Sequence, residues 1–416
     1  MSNLKKLYLN LYVIVYALYA YFNKGIAYSF LVEGLLVLGL VLLLLERRSY
    51  EFPWNRKMLL LVLFVGVTCV YIGRGLLRYN PIDVIRDSFM LNYIAFVFII
   101  FLFRDQLDYL IERLALVYKW YPLVACCSFL SLSYIPFFGE LKVFGDIHLL
   151  HYKYGDMAVH LFITTMLLLN GYIKLERRFM VANAVLIAYL FLIASSYNRA
   201  GMVSYIIAFA VFVFCTHDKA LKQRILSSLK FVPVVILAAL PFYMSTQVEE
   251  NFQGRKLGLD QLSNNITSIV NPDNSTGNLN DNKVWRLVWW GKIIEYTFGG
   301  EYFFNGKGLG MSLATDDDIP MAEEDLRAPH NFHLNILARF GVPFFCVWLY
   351  WIFLNLQGIR LKEQDPFRLI LLVIFIMFIL NASFDVFLEG PMGAFPFWTF
   401  VGIMYAKEAE VINIQA

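Results

Sequence analysis

The stretch Phe30-Leu-Val-Glu-Gly-Leu-Leu-Val-Leu-Gly-Leu-Val-Leu-Leu-Leu-Leu45 carries one charged residue, Glu33, in sixteen positions. Runs of the same kind recur along the chain, for example at 58–72 and 367–381. A helix needs roughly 20 apolar residues to span a bilayer, and fewer when it is partly buried. A soluble core can hide two or three such runs but not a dozen, so we predict an all-α polytopic membrane protein.

The overall composition agrees with this class. Of the 416 residues, 59% are hydrophobic and 16% are charged, whereas soluble domains average roughly 45–50% and about 25%. All five cysteines lie inside apolar blocks, so neither a disulfide framework nor an exposed thiol nucleophile is expected. About twelve transmembrane helices are predicted, approximately at 8–22, 27–45, 58–73, 89–103, 114–136, 157–173, 179–195, 200–215, 231–246, 334–356, 367–384 and 392–406.

Lysine and arginine residues in the short connections indicate the orientation of the chain. With a cytoplasmic N-terminus, the inside connections carry twenty of these residues and the short outside connections carry seven. No small-residue cleavage site follows the first apolar run, which favours a retained helix over a signal peptide. We therefore predict transmembrane helices 1–9 in residues 1–246, a large, partly helical periplasmic loop at 247–333, and transmembrane helices 10–12 with a short cytoplasmic tail at 334–416.

The large loop is expected to contain ordered elements. Its first part, Asn264–Asn282, is rich in Asn, Ser and Asp and is expected to be flexible. Asn282, or the residue before it, can cap a helix over Val284–Tyr296. A second helix is predicted to begin at Pro329, to have Gly341 at the end of its periodic part, and to lead into the tenth span.

A shorter outside segment, Pro81–Met90, is predicted to be an interfacial helix. Ile82, Ile85 and Phe89 fall on one side of it and Arg86 on the other. Such an amphipathic helix is expected to lie on the outer membrane surface.

The predicted spans are almost free of ionisable groups, with Glu33 and His160 as the main exceptions. Pumps and ion-coupled transporters usually need charged or proton-relaying side chains within their spans. The scarcity counts against transport and favours chemistry on the outer face.

The run from Arg327 to Gly341 is the most informative. With Pro329 as the first helical residue, His330 lies in the first turn, near unpaired backbone N–H groups and the positive end of the helix dipole. That position disfavours imidazolium, leaves His330 able to accept a proton, and attracts an anion to the same helix end. A capping or packing histidine is the alternative.

A second informative run is Asn282-Lys-Val-Trp285-Arg286-Leu-Val-Trp289-Trp290. Arg286 and Trp290 share one helix face, and Trp285 and Trp289 share another. Guanidinium groups bind phosphate oxygens in bidentate fashion, and aromatic faces suit sugar rings. The alternative is a set of tryptophans that anchor the chain at the headgroup level.

The third run, Ser195-Ser-Tyr-Asn-Arg199-Ala-Gly201, lies at the outer junction of the seventh and eighth predicted spans. An arginine flanked by apolar helices should find an anion, either a carboxylate or a phosphate. A lone arginine that snorkels to lipid headgroups is the alternative. Arg74 and Arg78 add positive charge on the same side of the membrane.

Other polar clusters carry weaker signals. His148/His151 and His330/His333 have spacings that metal ligands use, but no cysteine or carboxylate set completes a site, so no metal is predicted. The acidic cluster 316–318 is expected to be a solvated loop. The glycine-rich run Phe304–Gly310 lacks the lysine–serine ending of a phosphate loop and is interpreted as a turn.

Taken together, these runs resemble the O-antigen ligase and O-antigen polymerase superfamily of bacterial envelope enzymes. Most of the chain shares the architecture, with many spans followed by one long periplasmic loop before the last three. The motifs are the Arg199 junction, the Arg286 helix with the glycine-rich run after it, and the run from Pro329 to Gly341. Tyr197-Asn198 is a departure, because the family more often has small polar residues before the arginine.

The resemblance implies a metal-independent, inverting glycosyltransferase that uses no cofactor and acts on glycans carried by undecaprenyl diphosphate. His330 would be the general base on the acceptor hydroxyl, and Arg199 and Arg286 would hold the diphosphate. These three residues are expected to converge at the outer membrane surface. The residues expected to support the site or to bind substrate are Asn331, His333, Arg327, Arg74, Arg78 and Trp290.

The resemblance also implies a place in the bacterial inner membrane, with both termini cytoplasmic and the active site periplasmic. The implied partners are an undecaprenyl diphosphate-linked oligosaccharide donor, an acceptor glycolipid, membrane lipids and, as an optional partner, a chain-length regulator; no nucleic acid is expected. The Pro-His-Asn-Phe-His sequence favours a polymerase. A ligase that transfers the glycan to the lipid A core is the alternative, and a polysaccharide flippase or transporter is a more distant one.

Overall fold

The computed structural model describes residues 2–22, 29–45, 54–144, 147–148, 153–246, 257–270, 278–319, 326–360 and 365–415. Over these ranges the regular secondary structure is helical apart from one small antiparallel pair of strands, β1 (Lys142–Phe144) and β2 (Ile147–His148). The helices are α1 (Ser2–Tyr21), α2 (Leu31–Leu45), α3 (Arg56–Leu76), α4 (Pro81–Asn92), α5 (Ala95–Leu102), α6 (Leu107–Tyr134), α7 (Pro136–Glu140), α8 (Tyr154–Leu169), α9 (Arg177–Tyr197), α10 (Arg199–Cys215), α11 (Lys219–Leu229), α12 (Val232–Ser245), α13 (Leu259–Val270), α14 (Asn278–Phe298), α15 (Leu313–Asp316), α16 (Phe332–Leu356), α17 (Pro366–Ala382) and α18 (Pro391–Gln415).

The apolar helices agree with a membrane protein. Among the described residues, α3, α6 with the 3₁₀ turn before it, α9 and α16 are long and apolar enough to cross a bilayer. The pairs α4–α5 and α11–α12, bent by 46° and 43°, raise the number of candidate spans from four to six if each pair counts as one. The chain is thus an all-helical polytopic membrane protein, while the count of twelve, the domain boundaries and the orientation stay predictions.

The described chain forms two compact units, each built from segments that are distant in sequence. The first unit comprises residues 1–45, 102–275 and 362–381, and the second comprises 46–101, 276–361 and 382–416. The predicted periplasmic loop at 247–333 therefore contributes to both: α13 belongs to the first unit, and α14 and α15 belong to the second.

In the first unit, α9 packs against α6, α8 and α12. The interior is rich in tyrosine, and the hydroxyl of Tyr118 hydrogen-bonds to the Tyr16 hydroxyl and lies 3.1 Å from Nδ1 of His160. His160 was predicted to be one of the few ionisable residues within the spans. It is buried, and it contacts the hydrogen-bonded pair of tyrosines. Asp156, one turn earlier on α8, is also buried.

In the second unit, α16 packs against α3 and α14, and α18 packs against α4. Large aromatic side chains fill this interior: Trp348, Trp351 and Trp398 are fully buried. Polar atoms among them are paired, for example Nε1 of Trp398 donates to the carbonyl of Met90 at 2.7 Å. Such pairing is needed because an unpaired buried donor costs free energy comparable to a lost hydrogen bond.

Helix α16 is broken at Gly341, and the glycine-rich segment fills the break. Gly341 has φ 82° and ψ 177°, a conformation that is essentially restricted to glycine. The carbonyls of Ala338 and Arg339 accept from backbone N–H groups of Lys307 and Gly308 at 2.8 and 2.9 Å. The interpretation of 304–310 as a turn thus understates its role, because this segment satisfies carbonyls that the break and the following proline release.

The expectation of flexibility for Asn264–Asn282 was wrong for its described parts. Residues up to 270 belong to α13, residues from 278 onward belong to α14, and 271–277 lie outside the described residues. Asn265 is fully buried, and its Nδ2 donates to the carbonyls of Ser195 and Ser196 at 2.8 and 2.6 Å. An asparagine-rich composition indicates solvation only when the amides do not find buried partners.

The predicted helix at Pro81–Met90 is present as α4, with Asn80 as its N-cap and Pro81 in the first turn. Ile82 and Ile85 are exposed, as expected for a face that meets lipid. The opposite side carries a buried acid, Asp87, which the prediction did not anticipate. Since α5 continues α4 after a 46° bend, the pair also fits a broken span or a re-entrant loop.

Candidate active site

His330 precedes α16 instead of lying in its first turn. The helix begins at Phe332, and the side chain of Asn331 caps it by accepting from the backbone N–H of Leu334 at 3.2 Å. The prediction that the helix starts at Pro329 was therefore wrong, because asparagine is among the best N-cap residues. His330 has φ 51°, a left-handed conformation that is uncommon for residues other than glycine and is often found at functional sites.

Arg286 and His330 lie together. Nη2 of Arg286 is 3.4 Å from Nδ1 of His330, and Nη1 donates to the carbonyl of Phe384 at 3.2 Å. Trp285 stands edge-on to the His330 ring with centroids 5.6 Å apart, and the Arg286 guanidinium lies 5.4 Å from the Trp285 ring. Because a guanidinium only donates, a hydrogen bond with Nδ1 requires that this nitrogen carry no proton.

Trp290 holds the backbone of the same turn. Its Nε1 donates to the carbonyl of Pro329 at 2.7 Å. Arg286 and Trp290 are one helical turn apart on α14, so one face of this helix contacts both the His330 ring and the residue before it. The predicted helix face that carries Arg286 and Trp290 is thus present. Trp290 helps to fix the backbone conformation of the turn that contains Pro329 and His330.

Two neighbours of His330 have structural partners. Asn331 is the N-cap of α16. His333 accepts a hydrogen bond at Nδ1 from Nε1 of Trp348, at 3.1 Å. Both residues therefore help to fix the start of α16, whatever else they contact when substrate is bound.

Arg327 is held by carboxylates of α4. Its guanidinium lies 3.4 Å from Asp83 and 3.3 Å from Asp87, and it donates to the carbonyl of Gly310 at 3.2 Å. Arg339, from α16, pairs with the same Asp87 at 2.8 Å. Asp87 therefore ties α4 to the glycine-rich segment, to α16 and to the residues before His330.

The sequence analysis missed Asp87 and Arg339, which are almost fully buried. Arg339 lies inside a predicted span, so the statement that Glu33 and His160 are the main ionisable exceptions was incomplete. The positive charge of Arg339 was the sequence signal that could have identified this pair, because an arginine within an apolar helix is expected to pair with an acid. The identity of that acid depends on the tertiary contact between α4 and α16.

The acidic cluster at 316–318 is only partly solvated. Asp316 and Asp318 are exposed, but Asp317 is buried and accepts a hydrogen bond from Nε1 of Trp289 at 2.6 Å. Lys307 forms ion pairs with Asp316 and Asp317. The prediction of a solvated loop was therefore wrong for Asp317, which holds α14, α15 and the glycine-rich segment together.

These ion pairs affect two titratable groups in the second unit. Burial lowers the pKa of Lys307, but its hydrogen bonds with Asp316 and Asp317 outweigh burial, and the pKa lies above its ordinary value of 10.5. Burial and the nearby Asp317 carboxylate raise the pKa of the Tyr296 hydroxyl. Both groups therefore keep their protons at neutral pH.

Arg199 belongs to the first unit, where it is the first residue of α10. Asn198 caps this helix by accepting from the backbone N–H of Gly201 at 2.9 Å. Tyr197 stacks on Tyr154 with ring centroids 4.1 Å apart. The residues that depart from the family pattern thus have local structural roles, and the convergence of Arg199 with His330 and Arg286 stays a prediction.

The remaining predicted residues are Arg74 and Arg78, which are both exposed. Arg74 lies in the last turn of α3, where a positive charge interacts favourably with the helix dipole. In the described part of the chain, no three His, Cys, Asp or Glu residues are grouped as a metal site would require. His151, which belongs to the His148/His151 pair considered as metal ligands, lies outside the described residues.

The fold and this geometry define a polytopic membrane protein whose second unit brings an imidazole and a guanidinium together beside the start of a long apolar helix. The sequence model of a family described as O-Antigen ligase matches residues 184–349, a stretch that contains Arg199, Arg286 and His330. This match supports the resemblance to the O-antigen ligase and polymerase superfamily that the motifs indicated. A search of curated proteins gave no match.

Proposed function

We propose that this protein is a membrane glycosyltransferase that moves a glycan from undecaprenyl diphosphate to a hydroxyl of an acceptor glycan on the periplasmic face. The observation that carries the proposal is the pairing of His330 with Arg286 at 3.4 Å within a family-matched stretch. A base and a phosphate-binding group are the two functions that such a transfer needs side by side.

In the proposed reaction, the acceptor oxygen attacks the anomeric carbon and its proton passes to His330. The bond between the anomeric carbon and the diphosphate oxygen breaks, and its electron pair stays with the diphosphate. Arg286 then neutralises the charge that develops on this leaving group. Attack opposite to the leaving group inverts the anomeric centre.

Arg286 has a second task in this proposal. In the absence of substrate it donates toward Nδ1 of His330, which requires the unprotonated nitrogen that a base needs. A bound diphosphate is a stronger acceptor for a guanidinium than a neutral imidazole. Donor binding would therefore draw Arg286 toward phosphate and release the imidazole lone pair for the acceptor proton.

Arg199 is retained as a second diphosphate-binding residue because of its motif at the start of α10. Asn331, His333, Arg327 and Trp290 are proposed to position the turn around His330 through the contacts described above. Arg74 and Arg78 are proposed to contribute positive charge that attracts the lipid-linked donor.

Replacing His330 with alanine tests the base. Loss of a general base typically lowers the rate by about 10²–10⁴, so we expect cells with this variant to lose long-chain glycan while the protein still inserts. Substituting the exposed His217 with alanine is the matched control and should leave the glycan ladder unchanged. A wild-type ladder from His330→Ala would remove His330 from the mechanism.

The acceptor distinguishes a polymerase from a ligase, and we propose a polymerase with a ligase as the second candidate. Purified protein is incubated with lipid-linked repeat units alone and then with a lipid A core. A polymerase lengthens the repeat units in the first step, whereas a ligase leaves them unchanged until the core is added. Translocation of the glycolipid in proteoliposomes without a new glycosidic bond would instead indicate a flippase.

A further inference from the structure

Helix α14 has apolar residues on two opposite faces. One face packs into the second unit, where Trp289 and Ile293 are fully buried against Leu337 and Ala338 of α16. The other face is exposed, although the helix lies in the predicted periplasmic loop. Its exposed apolar residues are Val284, Leu287, Val288, Ile294 and Phe298.

These residues form one continuous stripe. Steps of three and four residues keep Val284, Leu287 and Val288 on one side of the helix, and Ile294 and Phe298 continue that side. Each of the five side chains is about half exposed, from 48% to 55%. A stripe of this length is unusual on a water-facing surface and marks contact with a membrane or a partner.

Helix α14 and the segment that follows it are bonded to residues where apolar helices begin or end. In the third turn of α14, Arg286 donates to the carbonyl of Phe384, in the segment that precedes α18. After its end, the carbonyl of Asn305 accepts from the hydroxyl of Tyr71, in the last turns of α3. Because the end of a spanning helix such as α3 lies at the membrane surface, the contact with Tyr71 holds the segment after α14 at that surface.

Neighbouring exposed residues continue the apolar surface. Val70 and Leu77, at the end of α3, are 69% and 87% exposed, and Ile82 at the start of α4 is 73% exposed. Phe304, in the segment bonded to Tyr71, is 72% exposed. The Tyr71–Asn305 hydrogen bond thus joins the segment after α14 to a candidate membrane span, and both carry exposed apolar side chains.

One charged residue, Glu295, falls within the stripe and is exposed. A carboxylate is expensive in the hydrocarbon core but can reach water from the headgroup region. This residue therefore favours the interfacial depth over a deeper position.

We propose that α14 is an interfacial helix whose stripe of Val284, Leu287, Val288, Ile294 and Phe298 inserts into the outer leaflet of the phospholipid bilayer. Interfacial helices of this kind bury their apolar face about 5–10 Å into the headgroup and acyl boundary. The insertion would hold Arg286, on the same helix, at the depth of phospholipid phosphates, independently of which reaction the protein catalyses.

Spin labels measure this depth directly. In the full-length protein with its native cysteines replaced, a single cysteine is introduced at each stripe position, labelled, and placed in nanodiscs of phosphatidylethanolamine and phosphatidylglycerol. We expect oxygen, which concentrates in lipid, to collide with these labels more often than a water-soluble nickel chelate. Matched controls are Val70→Cys as a lipid position and Thr315→Cys, an exposed position on α15, as a water position.

Two results would overturn the proposal. Nickel collision rates at the stripe as high as those at Thr315 would show that the stripe is in water. Low collision rates with both reagents, together with spin–spin broadening that grows with protein density, would show that a second copy of the chain covers the stripe. Each substitution is at an exposed position, and folding is checked by comparing the thermal unfolding of each labelled variant with that of the cysteine-free parent.

Discussion

Individual side chains around His330 divide into two groups. Arg286 and Trp285 contact the imidazole ring itself, whereas Trp290, Asn331 and Arg327 hold the polypeptide on either side of it. The second group matters because His330 has a left-handed backbone conformation that costs of order 1–3 kcal/mol. Surrounding contacts must offset this cost if the ring is to keep its orientation.

Asn331→Ala is predicted to destabilise the protein by about 1 kcal/mol, since it removes the N-cap of α16. Asn331→Asp keeps a capping oxygen and should retain the stability of the wild type. Thermal unfolding of both variants in the same detergent measures this difference. Equal stability of the alanine and aspartate variants would contradict a capping role.

Lys307→Met is predicted to destabilise the protein by about 3–5 kcal/mol, because it leaves the buried Asp317 carboxylate without its cation. The double variant Lys307→Met/Asp317→Asn should recover part of this loss. Chemical unfolding of the single and double variants gives the coupling between the two residues. A single variant as stable as the wild type would contradict the buried ion pair.

The same lysine predicts a pH dependence. Its folded pKa lies above the unfolded value of 10.5, so its contribution to stability is complete below pH 10.5 and is lost as the pH rises through the folded pKa. The wild type should therefore lose more thermal stability than Lys307→Met when the pH is raised above 10.5. Parallel losses in the two proteins would show that Lys307 does not contribute.

Proximity of Arg286 to His330 could be predicted from the sequence, because both residues lie in runs that resemble one family. Asp87 could not be predicted as their neighbour in the same unit. Its partners Arg327 and Arg339 lie more than two hundred residues further along the chain. A charge pattern shows that Arg339 needs an acid but does not show which acid the fold brings to it.

Among the helices, α16 depends most on its neighbours. Its break at Gly341 exposes backbone groups within an apolar environment, and the segment from Phe303 to Gly308 pairs with them. Gly341 was expected to end the periodic part of the helix. Helix periodicity continues through the break, so the sequence predicts both halves of α16 but not the segment that fills the space between them.

Gly341→Ala is predicted to destabilise α16 strongly. The added Cβ would lie 2.6 Å from the carbonyl oxygen of Phe303, and the φ of 82° is itself unfavourable for alanine. Gly291→Ala is the matched control: nothing lies within 4 Å of the new Cβ, and alanine in a helix is favoured by about 0.5–1 kcal/mol. Thermal unfolding should show a loss for the first variant only, and a loss of similar size in both would contradict the role of the break.

For the protein as a whole, apolar periodicity was sufficient to predict the class, an all-helical membrane protein, and the approximate positions of the long apolar helices, but it did not predict α11 or α13. It did not show that the long loop divides between two compact units, because that division depends on α13 burying Asn265 against the end of α9. Loop composition alone resembles that of a flexible connection.

The predicted orientation can be tested with two exposed positions. Thr315→Cys lies in the loop predicted to be periplasmic, and His217→Cys lies in a connection predicted to be cytoplasmic. In a variant without native cysteines, an impermeant maleimide added to intact cells should label position 315 and not position 217. Labelling of position 217 before the membrane is permeabilised would contradict the orientation.

Separating donor binding from turnover tests the catalytic pairing most directly. Two quantities are measured in purified full-length protein: the affinity for the lipid-linked donor and the rate of undecaprenyl diphosphate release. The variants are His330→Ala and Arg286→Lys. The control is Arg178→Ala, which replaces an exposed arginine of α9. We predict that His330→Ala keeps donor affinity and loses about 10²–10⁴ in rate, and that Arg286→Lys loses affinity because a lysine cannot form the bidentate contact. A His330→Ala protein that releases diphosphate at the rate of the control would contradict the proposed chemistry.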